Sequence, residues 1–228
     1  MTNYIVASSK KWFLKYPKSD KYKKLSIFNI KDKEKLNLDY LAEINPRYIF
    51  FPHWSWKVES EIINKYECVV FHTAPLPYGR GGSPIQNLIL KGFKKAPLSA
   101  LKMIDELDAG PIYYQSEISL DGSLDDILMR LANECERMIT KICSLQTKPD
   151  IEQKGEVFFF KRLTEKDNEL DFNSSLKEIY NKIRMVDGEE YKKAYIRLGN
   201  YKFEFSSAKL NGNKLNARIN IIEDNKSS

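Results

Sequence analysis

The sequence predicts an α/β fold: a Rossmann-like, mostly parallel twisted sheet with helices on both faces. Two observations predict it. Short apolar runs typical of buried strands alternate with helical patterns across residues 1–148. Strands that alternate with helices favour parallel neighbours joined by right-handed crossovers. Strand patterns and hairpin turns dominate residues 149–228, which we therefore expect to form a linker and a small C-terminal α+β appendage.

The first region contains six predicted strands, and turn or cap residues bound its helices. Asn45-Pro46 ends one helix, and Ser83-Pro84 opens another with a capping side chain and a proline at the first position. The four residues 123–126 resemble a capping box at the start of a long helix. The predicted strands span 3–7, 25–30, 48–51, 67–71, 98–103 and 111–118, and the helices span 12–16, 38–44, 58–65, 83–92 and 123–145.

The second region shows shorter elements. An aromatic run at 157–160 and apolar runs at 194–198, 201–205 and 217–222 predict strands, with a helix at 174–185 between them. Gly199-Asn200 is a hairpin turn signal.

Composition and charge limit the class of function. The formal charge is +6, but the lysines are interspersed with acids, which is typical of a solvated surface rather than a nucleic-acid site. No apolar run is long enough to cross a bilayer, so we expect no membrane contact. The three cysteines lack metal-ligand or redox spacing, and there are two histidines, so we expect no metal site and a cytoplasmic location.

One stretch, residues 69–87, combines a buried strand, a turn rich in proline and glycine, and a helix start. His72 ends the strand, where open α/β sheets place their ligands. Arg80 lies between glycines and is a candidate anion fork. Further along, Asp105 and Asp108 lie on a turn between apolar runs, where a carboxylate can orient a histidine.

Together these two segments resemble the folate-dependent formyltransferases, which include glycinamide ribonucleotide, methionyl-tRNA and sugar N-formyltransferases. That family carries Asn-x-His ahead of a Leu-Pro turn, and an Asp in a Leu-Asp-x-Gly-Pro/Asp element. His72, Leu76-Pro77 and the run at 107–111 fit in order and spacing. The glycine-rich form at 79–84 resembles a branch that acts on sugar nucleotides, and also the formylation domain of some peptide synthetases.

The resemblance implies an N-formyltransferase that uses 10-formyltetrahydrofolate and passes through a tetrahedral intermediate. His72 would be the acid/base or oxyanion donor, with Asp108 as its partner and Asp105 as the rival carboxylate. The predicted folate-binding residues are Trp54, Ser55, Trp56, Ile104, Asp105, Glu106, Leu107 and Asp108. The predicted substrate-binding residues are Ser8, Ser9, Lys10, Thr73, Tyr78, Arg80, Gly81 and Gly82.

The chain departs from the family pattern at Val70, which occupies the position of the family asparagine. That amide would orient the formyl group and stabilise the oxyanion. Thr73, Gln86, Asn87 or a water are the candidates to replace it, and the sequence does not choose among them.

From this resemblance we expect residues 1–148 to be the catalytic domain and the acceptor to be a nucleotide-linked aminodeoxysugar, with a pseudaminic-acid type of pathway as one setting. We expect a homodimer, also by resemblance. We do not expect tRNA to be a partner, because the tail is too short for the complete barrel domain that tRNA formyltransferases use for tRNA. The alternatives are an acceptor that is methionyl-tRNA or a carrier-bound amino acid, and a non-catalytic module that binds folate or a nucleotide sugar. The absence of a G-x-G-x-x-G motif disfavours a dehydrogenase.

Overall fold

The computed structural model describes residues 2–16, 18–146 and 148–224. Its strands are β1 (Asn3–Ser8), β2 (Ser26–Ile30), β3 (Tyr48–His53), β4 (Cys68–Thr73), β5 (Tyr78–Gly81), β6 (Lys95–Lys102), β7 (Ile112–Ser119), β8 (Phe158–Phe160), β9 (Ala194–Leu198), β10 (Tyr201–Asn211) and β11 (Lys214–Glu223). Its α-helices are α1 (Trp12–Lys15), α2 (Asp20–Lys23), α3 (Leu38–Ile44), α4 (Ser60–Lys65), α5 (Pro84–Leu90), α6 (Leu124–Leu145) and α7 (Leu176–Arg184).

The central sheet has six strands in the order β2-β1-β3-β4-β6-β7. The pairs β1–β2, β1–β3 and β3–β4 are parallel, whereas β6 runs antiparallel to both β4 and β7. One strand of six is therefore reversed, and the predicted mostly parallel sheet is confirmed.

Helices cover both faces of this sheet because successive side chains of a buried strand point to opposite sides. In β1, Tyr4 and Val6 face the layer that contains α1, α2 and α6. Ile5 and Ala7 face the layer that contains α3 and α4. All four side chains are buried, so the sheet has a hydrophobic core on each side.

The long helix α6 is the main element of the first layer. Ser123 accepts from the Asp126 N–H, and the Asp126 carboxylate accepts from the Ser123 N–H at 2.8 Å, which confirms the predicted capping box. The predicted stripe is buried along its whole length: Ile127, Leu131, Cys135, Met138 and Ile142.

The C-terminal region forms a three-stranded antiparallel sheet, β11-β10-β9, against which α7 packs. A further strand, β8, pairs in parallel with β5 and so joins the chain after α6 to the turn that follows His72. The sequence did not predict β5 as a strand. The division at residue 148 stays a prediction.

Ser83 differs from its predicted role. It has a left-handed backbone (φ +49°), and its side chain does not cap α5. Its Oγ instead accepts a hydrogen bond from the Leu163 N–H at 3.1 Å. A left-handed residue is not in the extended conformation of a helix cap, so the side chain is free to bind the neighbouring segment.

Two methionines of α6 allow a matched test of this core. Met138 is fully buried, whereas Met129 is 41% exposed. We expect Met138→Ala to lower the free energy of unfolding by roughly 2–5 kcal/mol through the cavity it leaves, and Met129→Ala by about 0.5 kcal/mol or less. Urea unfolding of both variants checks this, and equal losses would contradict the assigned helix face.

Candidate active site

His72 is held by two acceptors on opposite sides of its ring. It is 6% exposed and lies at the carboxyl end of β4, next to the last residue of the strand. Nε2 donates to the Gly79 carbonyl oxygen at 2.8 Å, because a carbonyl can only accept. Nδ1 lies 3.4 Å from the Asp108 Oδ2 atom. The structure therefore brings together the two residues predicted to be catalytic.

The turn between His72 and Arg80 requires a glycine at position 79. Gly79 has φ +90°, and a Cβ there would lie 2.5 Å from the Phe160 ring. A side chain at this position would displace either β8 or the carbonyl that binds His72. The glycine therefore allows the turn and β8 to pack closely against each other.

Asp108 is fixed from a neighbouring loop. Its carboxylate Oδ2 accepts the Gly81 N–H at 3.0 Å, and its side chain is 8% exposed. The Nε2 atom of His72 carries the hydrogen that is donated to Gly79. The Nδ1 atom can therefore donate to an ionised Asp108 only when the ring carries a second proton, on Nδ1. The pair therefore places a carboxylate beside a ring nitrogen that can carry a proton.

These residues open onto a cavity of about 980 Å³ at the carboxyl ends of β3 and β4. It is large enough for a drug-sized ligand. Most of the residues predicted to bind substrate or folate line it: Lys10, Trp54, Ser55, Trp56, His72, Thr73, Gly81, Gly82, Ile104, Asp105, Leu107 and Asp108. Ser8, Ser9, Tyr78, Arg80 and Glu106 are not in its wall.

The wall formed by Trp54, Trp56, Ile104 and Leu107 suits a flat aromatic ligand. The two indole rings meet edge to face with centroids 4.9 Å apart. Trp56 is 41% exposed and Leu107 is 59% exposed, so apolar surface is open to the cavity. The Trp54 Nε1 atom is buried and has no hydrogen-bond partner among the described residues. Because this atom is inaccessible to solvent, it offers no donor to a ligand in the cavity.

The predicted residues outside the wall have partners within the protein. The Ser8 Oγ donates to the Lys10 carbonyl, and the Ser9 Oγ lies 3.1 Å from the His53 Nδ1. Tyr78 stacks on Phe158. The Arg80 guanidinium binds Glu106, at 2.6 Å, and Gln153. Their roles toward a substrate stay predictions.

At Val70 the wall is apolar, so the oxyanion donor must come from elsewhere. The Asn87 amide already donates to the carbonyls of Gly82, Ser83 and Lys161. An amide nitrogen has two hydrogens, so none is left for a ligand. Thr73 and Gln86, both more than nine-tenths buried, line the cavity and remain the candidates from this chain.

The C-terminal region completes the cavity, which the sequence did not predict. Arg162, Tyr191 and Lys192 are part of its wall. The Lys10 Nζ donates to the Glu190 carbonyl at 2.8 Å, and the Lys11 N–H donates to the Glu190 carboxylate at 2.7 Å. These contacts join residues about 180 apart, and nothing in the local sequence indicates them.

His53 lies in the same wall next to Ser9. Burial, with Lys10 and Arg162 nearby, lowers its pKa to about 4. The ring is therefore neutral at physiological pH.

A second cavity of about 670 Å³ lies at the amino ends of β3 and β4, opposite to the first cavity. Its wall includes Asn3, Arg47, Glu67 and Lys102, and it contains none of the predicted site residues. Within residues 2–16, 18–146 and 148–224, no group of three or more His, Cys, Asp or Glu side chains could hold a metal ion.

Two protein-family models match this chain. A family model described as "Formyl transferase" matches residues 10–142, which include His72 and Asp108. A second, described as "Methionyl-tRNA formyltransferase, C-terminal domain", matches residues 165–222. The chain belongs to the formyl transferase family. The predicted family and fold are confirmed.

Individual relatives agree with this assignment. A methionyl-tRNA formyltransferase from Sulfurihydrogenibium sp. is 30% identical over 189 residues, 79% of this chain and 60% of that protein. A methionyl-tRNA formyltransferase structure from Clostridium thermocellum has a TM-score of 0.91 at 37% identity, covering 98% of this chain and 100% of that one. HypX from Aquifex aeolicus in complex with tetrahydrofolic acid has a TM-score of 0.72 at 14% identity, covering 90% of this chain and 37% of that one.

The chain thus spans about 60% of the length of the curated methionyl-tRNA formyltransferase from Sulfurihydrogenibium sp.. The expected formyl donor, 10-formyltetrahydrofolate, is confirmed at the level of the family.

The expected sugar-nucleotide acceptor is wrong, because the relatives named above at 30% and 37% identity are methionyl-tRNA formyltransferases. The glycines that suggested a sugar-nucleotide site have another cause: Gly79 and Gly82 lie where Cβ atoms would collide with Phe160 and Arg162. The expectation that tRNA is no partner is also wrong. It assumed that the tail is too short for a tRNA-binding domain, whereas residues 165–222 match a model described as the C-terminal domain of methionyl-tRNA formyltransferase.

The predicted homodimer is tested by none of these observations and stays a prediction. In the described part of the chain, no helix is long and apolar enough to cross a membrane.

The neutral state of His53 predicts a pH dependence of stability. Its folded pKa, about 4, lies below the unfolded value of about 6.5. Between these values the unfolded chain binds more protons, so the free energy of unfolding falls as the pH drops from 6.5 to 4. We expect this contribution to be on the order of 2 kcal/mol and to be absent in His53→Gln. Urea unfolding at several pH values checks it, and parallel pH profiles for the two proteins would contradict it.

Proposed function

We propose that this protein transfers the formyl group of 10-formyltetrahydrofolate to the α-amino group of methionyl-tRNA. The observation that carries the proposal is the buried pair of His72 and Asp108, whose Nδ1 and Oδ2 atoms lie 3.4 Å apart. The pair lies in the wall of a cavity to which both regions of the chain contribute. The sequence similarity to methionyl-tRNA formyltransferases supports the acceptor.

The residues present fit a folate. Trp54 and Trp56 provide an aromatic wall for a pterin ring. Ile104, Asp105, Leu107 and Asp108 contribute to the wall of the same cavity. When bound there, the folate supplies the activated formyl group.

The remaining chemistry belongs to the chain. Acyl transfer to an amine requires a proton to leave the attacking nitrogen and another to reach the leaving nitrogen. Because Nε2 is fixed on Gly79, the Nδ1 atom beside Asp108 is the ring nitrogen of His72 that can carry such a proton. With that proton in place, the ring can also stabilise negative charge on the formyl oxygen. The low exposure of the pair keeps this charge from being screened by water.

The acceptor end of a tRNA would reach the same cavity. Its wall includes three basic residues, Lys10, Arg162 and Lys192, which we call the basic mouth, together with the acidic residues Glu165 and Glu190. Basic side chains bind phosphates and give a salt-dependent affinity. The matched C-terminal domain contains Lys192, and Arg162 lies three residues before the first matched residue.

The catalytic pair is tested directly by an acceptor assay. Purified protein, 10-formyltetrahydrofolate and methionyl-tRNA are mixed, and formylmethionine is quantified after deacylation. We expect His72→Ala and Asp108→Asn each to reduce kcat by about 10²- to 10⁴-fold. The exposed Asp150→Asn is the matched control and should match the wild type.

Two results would contradict this proposal. Formylation of a carrier-bound methionine but not of methionyl-tRNA would assign another acceptor. Folate binding with no turnover on either would make the protein a binding module.

The basic mouth predicts a separate effect on tRNA binding. Arg162 is exposed and lines the cavity. We expect Arg162→Ala to raise the KM for methionyl-tRNA several-fold, to leave the KM for folate unchanged, and to reduce the slope of log affinity against log salt by about 1. Lys21→Ala, exposed on α2 and outside the cavity wall, is the control. Equal salt slopes for wild type and Arg162→Ala would place the tRNA elsewhere.

A further inference from the structure

We propose that Gln153 is a positioning residue that holds Asp108 in register with His72; the role in catalysis rests on the function proposed above. Gln153 lies in the segment between α6 and β8. It is not in the cavity wall, and its side-chain hydrogen bonds go to Arg80, Asp108 and Gly110. It acts through the backbone of the loop that carries Asp108.

The Gln153 amide nitrogen clamps this loop. Its Nε2 donates to the Asp108 carbonyl at 2.7 Å and to the Gly110 carbonyl at 3.0 Å. Asp108 has φ +52°, a left-handed backbone that non-glycine residues adopt only where the surroundings hold them. The two bonds to carbonyls on either side of residue 109 are such a restraint.

Arg80 fixes the orientation of that amide. Its Nε and Nη2 atoms donate to the Gln153 Oε1 at 3.1 and 2.9 Å. A guanidinium can only donate, so the amide oxygen must face it and the amide nitrogen must face the two carbonyls. Arg80 is 6% exposed and is itself held by Glu106 through a 2.6 Å bond. The buried arginine thus sets the direction in which Gln153 donates.

The carboxylate end of Asp108 depends on the same restraint. Its Oδ2 receives the Gly81 N–H at 3.0 Å and lies 3.4 Å from the His72 Nδ1. With the backbone released, residue 108 can leave the left-handed conformation, and its carboxylate moves relative to the imidazole. A displacement of about 1 Å at a catalytic group is enough to cost on the order of 10²-fold in rate.

The decisive variant is Gln153→Glu, which keeps an acceptor for Arg80 and replaces the donor by a second carboxylate oxygen facing the two carbonyls. Gln153→Ala removes both contacts. Glu152→Gln, on the exposed neighbour, is the control. We expect kcat to fall about 10- to 100-fold in both Gln153 variants with both KM values within about twofold of wild type. The control should be unchanged.

A spectroscopic readout separates positioning from general stability and does not depend on the acceptor. Long-range ¹H–¹⁵N spectra report the two ring nitrogens of His72, with His72→Ala used for assignment. We expect the Nδ1 chemical shift in both Gln153 variants to differ from that of the wild type, and the shift in Glu152→Gln to equal it. Thermal unfolding checks that all of these proteins are folded.

The outcomes separate the two proposals. If wild type fails to formylate methionyl-tRNA but the Nδ1 signal still moves in the Gln153 variants, the proposed function fails and the positioning role stands. An unmoved Nδ1 signal in the Gln153 variants overturns the positioning role, whatever the rate. A kcat within twofold of wild type overturns its importance for catalysis.

Discussion

The parallel pairing of β5 with β8 is the constraint on which the site depends. It brings residues 158–160 against the turn that follows His72, with Tyr78 opposite Phe158 and Gly81 opposite Phe160. The glycine-rich turn is shaped by this approach, since Cβ atoms at Gly79 and Gly82 would collide with Phe160 and Arg162. In that shape it presents the Gly79 carbonyl to His72 and the Gly81 N–H to Asp108.

The same pairing makes the C-terminal region part of the site. The chain after β8 delivers Arg162 to the cavity, and Glu190 binds the residues that follow β1. Residues 165–222, which match the C-terminal domain of methionyl-tRNA formyltransferase, therefore contribute to the cavity wall.

The local parts of this design could be predicted from the sequence. The alternation of strand and helix patterns predicted a sheet covered on both faces, and the apolar stripe on α6 predicted its buried side. His72 and Asp108 could be paired because their motifs resemble those of the formyltransferase family. Pro84 begins α5 as predicted, but the left-handed backbone at Ser83 prevents the predicted side-chain cap.

Long-range contacts could not be predicted. No periodic pattern links Gly81 to Phe160 or Gln153 to Asp108, since hydrogen bonds between loops leave no spacing signal in either segment. For the same reason the contacts of the Arg80 guanidinium with Glu106 and Gln153 could not be predicted, and its role toward a substrate stays a prediction. The acceptor was misjudged because glycines needed for backbone packing resemble glycines that approach a nucleotide.

The most direct test of this account is a structure of the protein with tetrahydrofolate bound. We expect the pterin ring to lie between Trp54 and the loop at 104–108, with the formyl-bearing nitrogen beside His72. A folate bound instead in the second cavity, near Arg47 and Glu67, would contradict the assignment of the site.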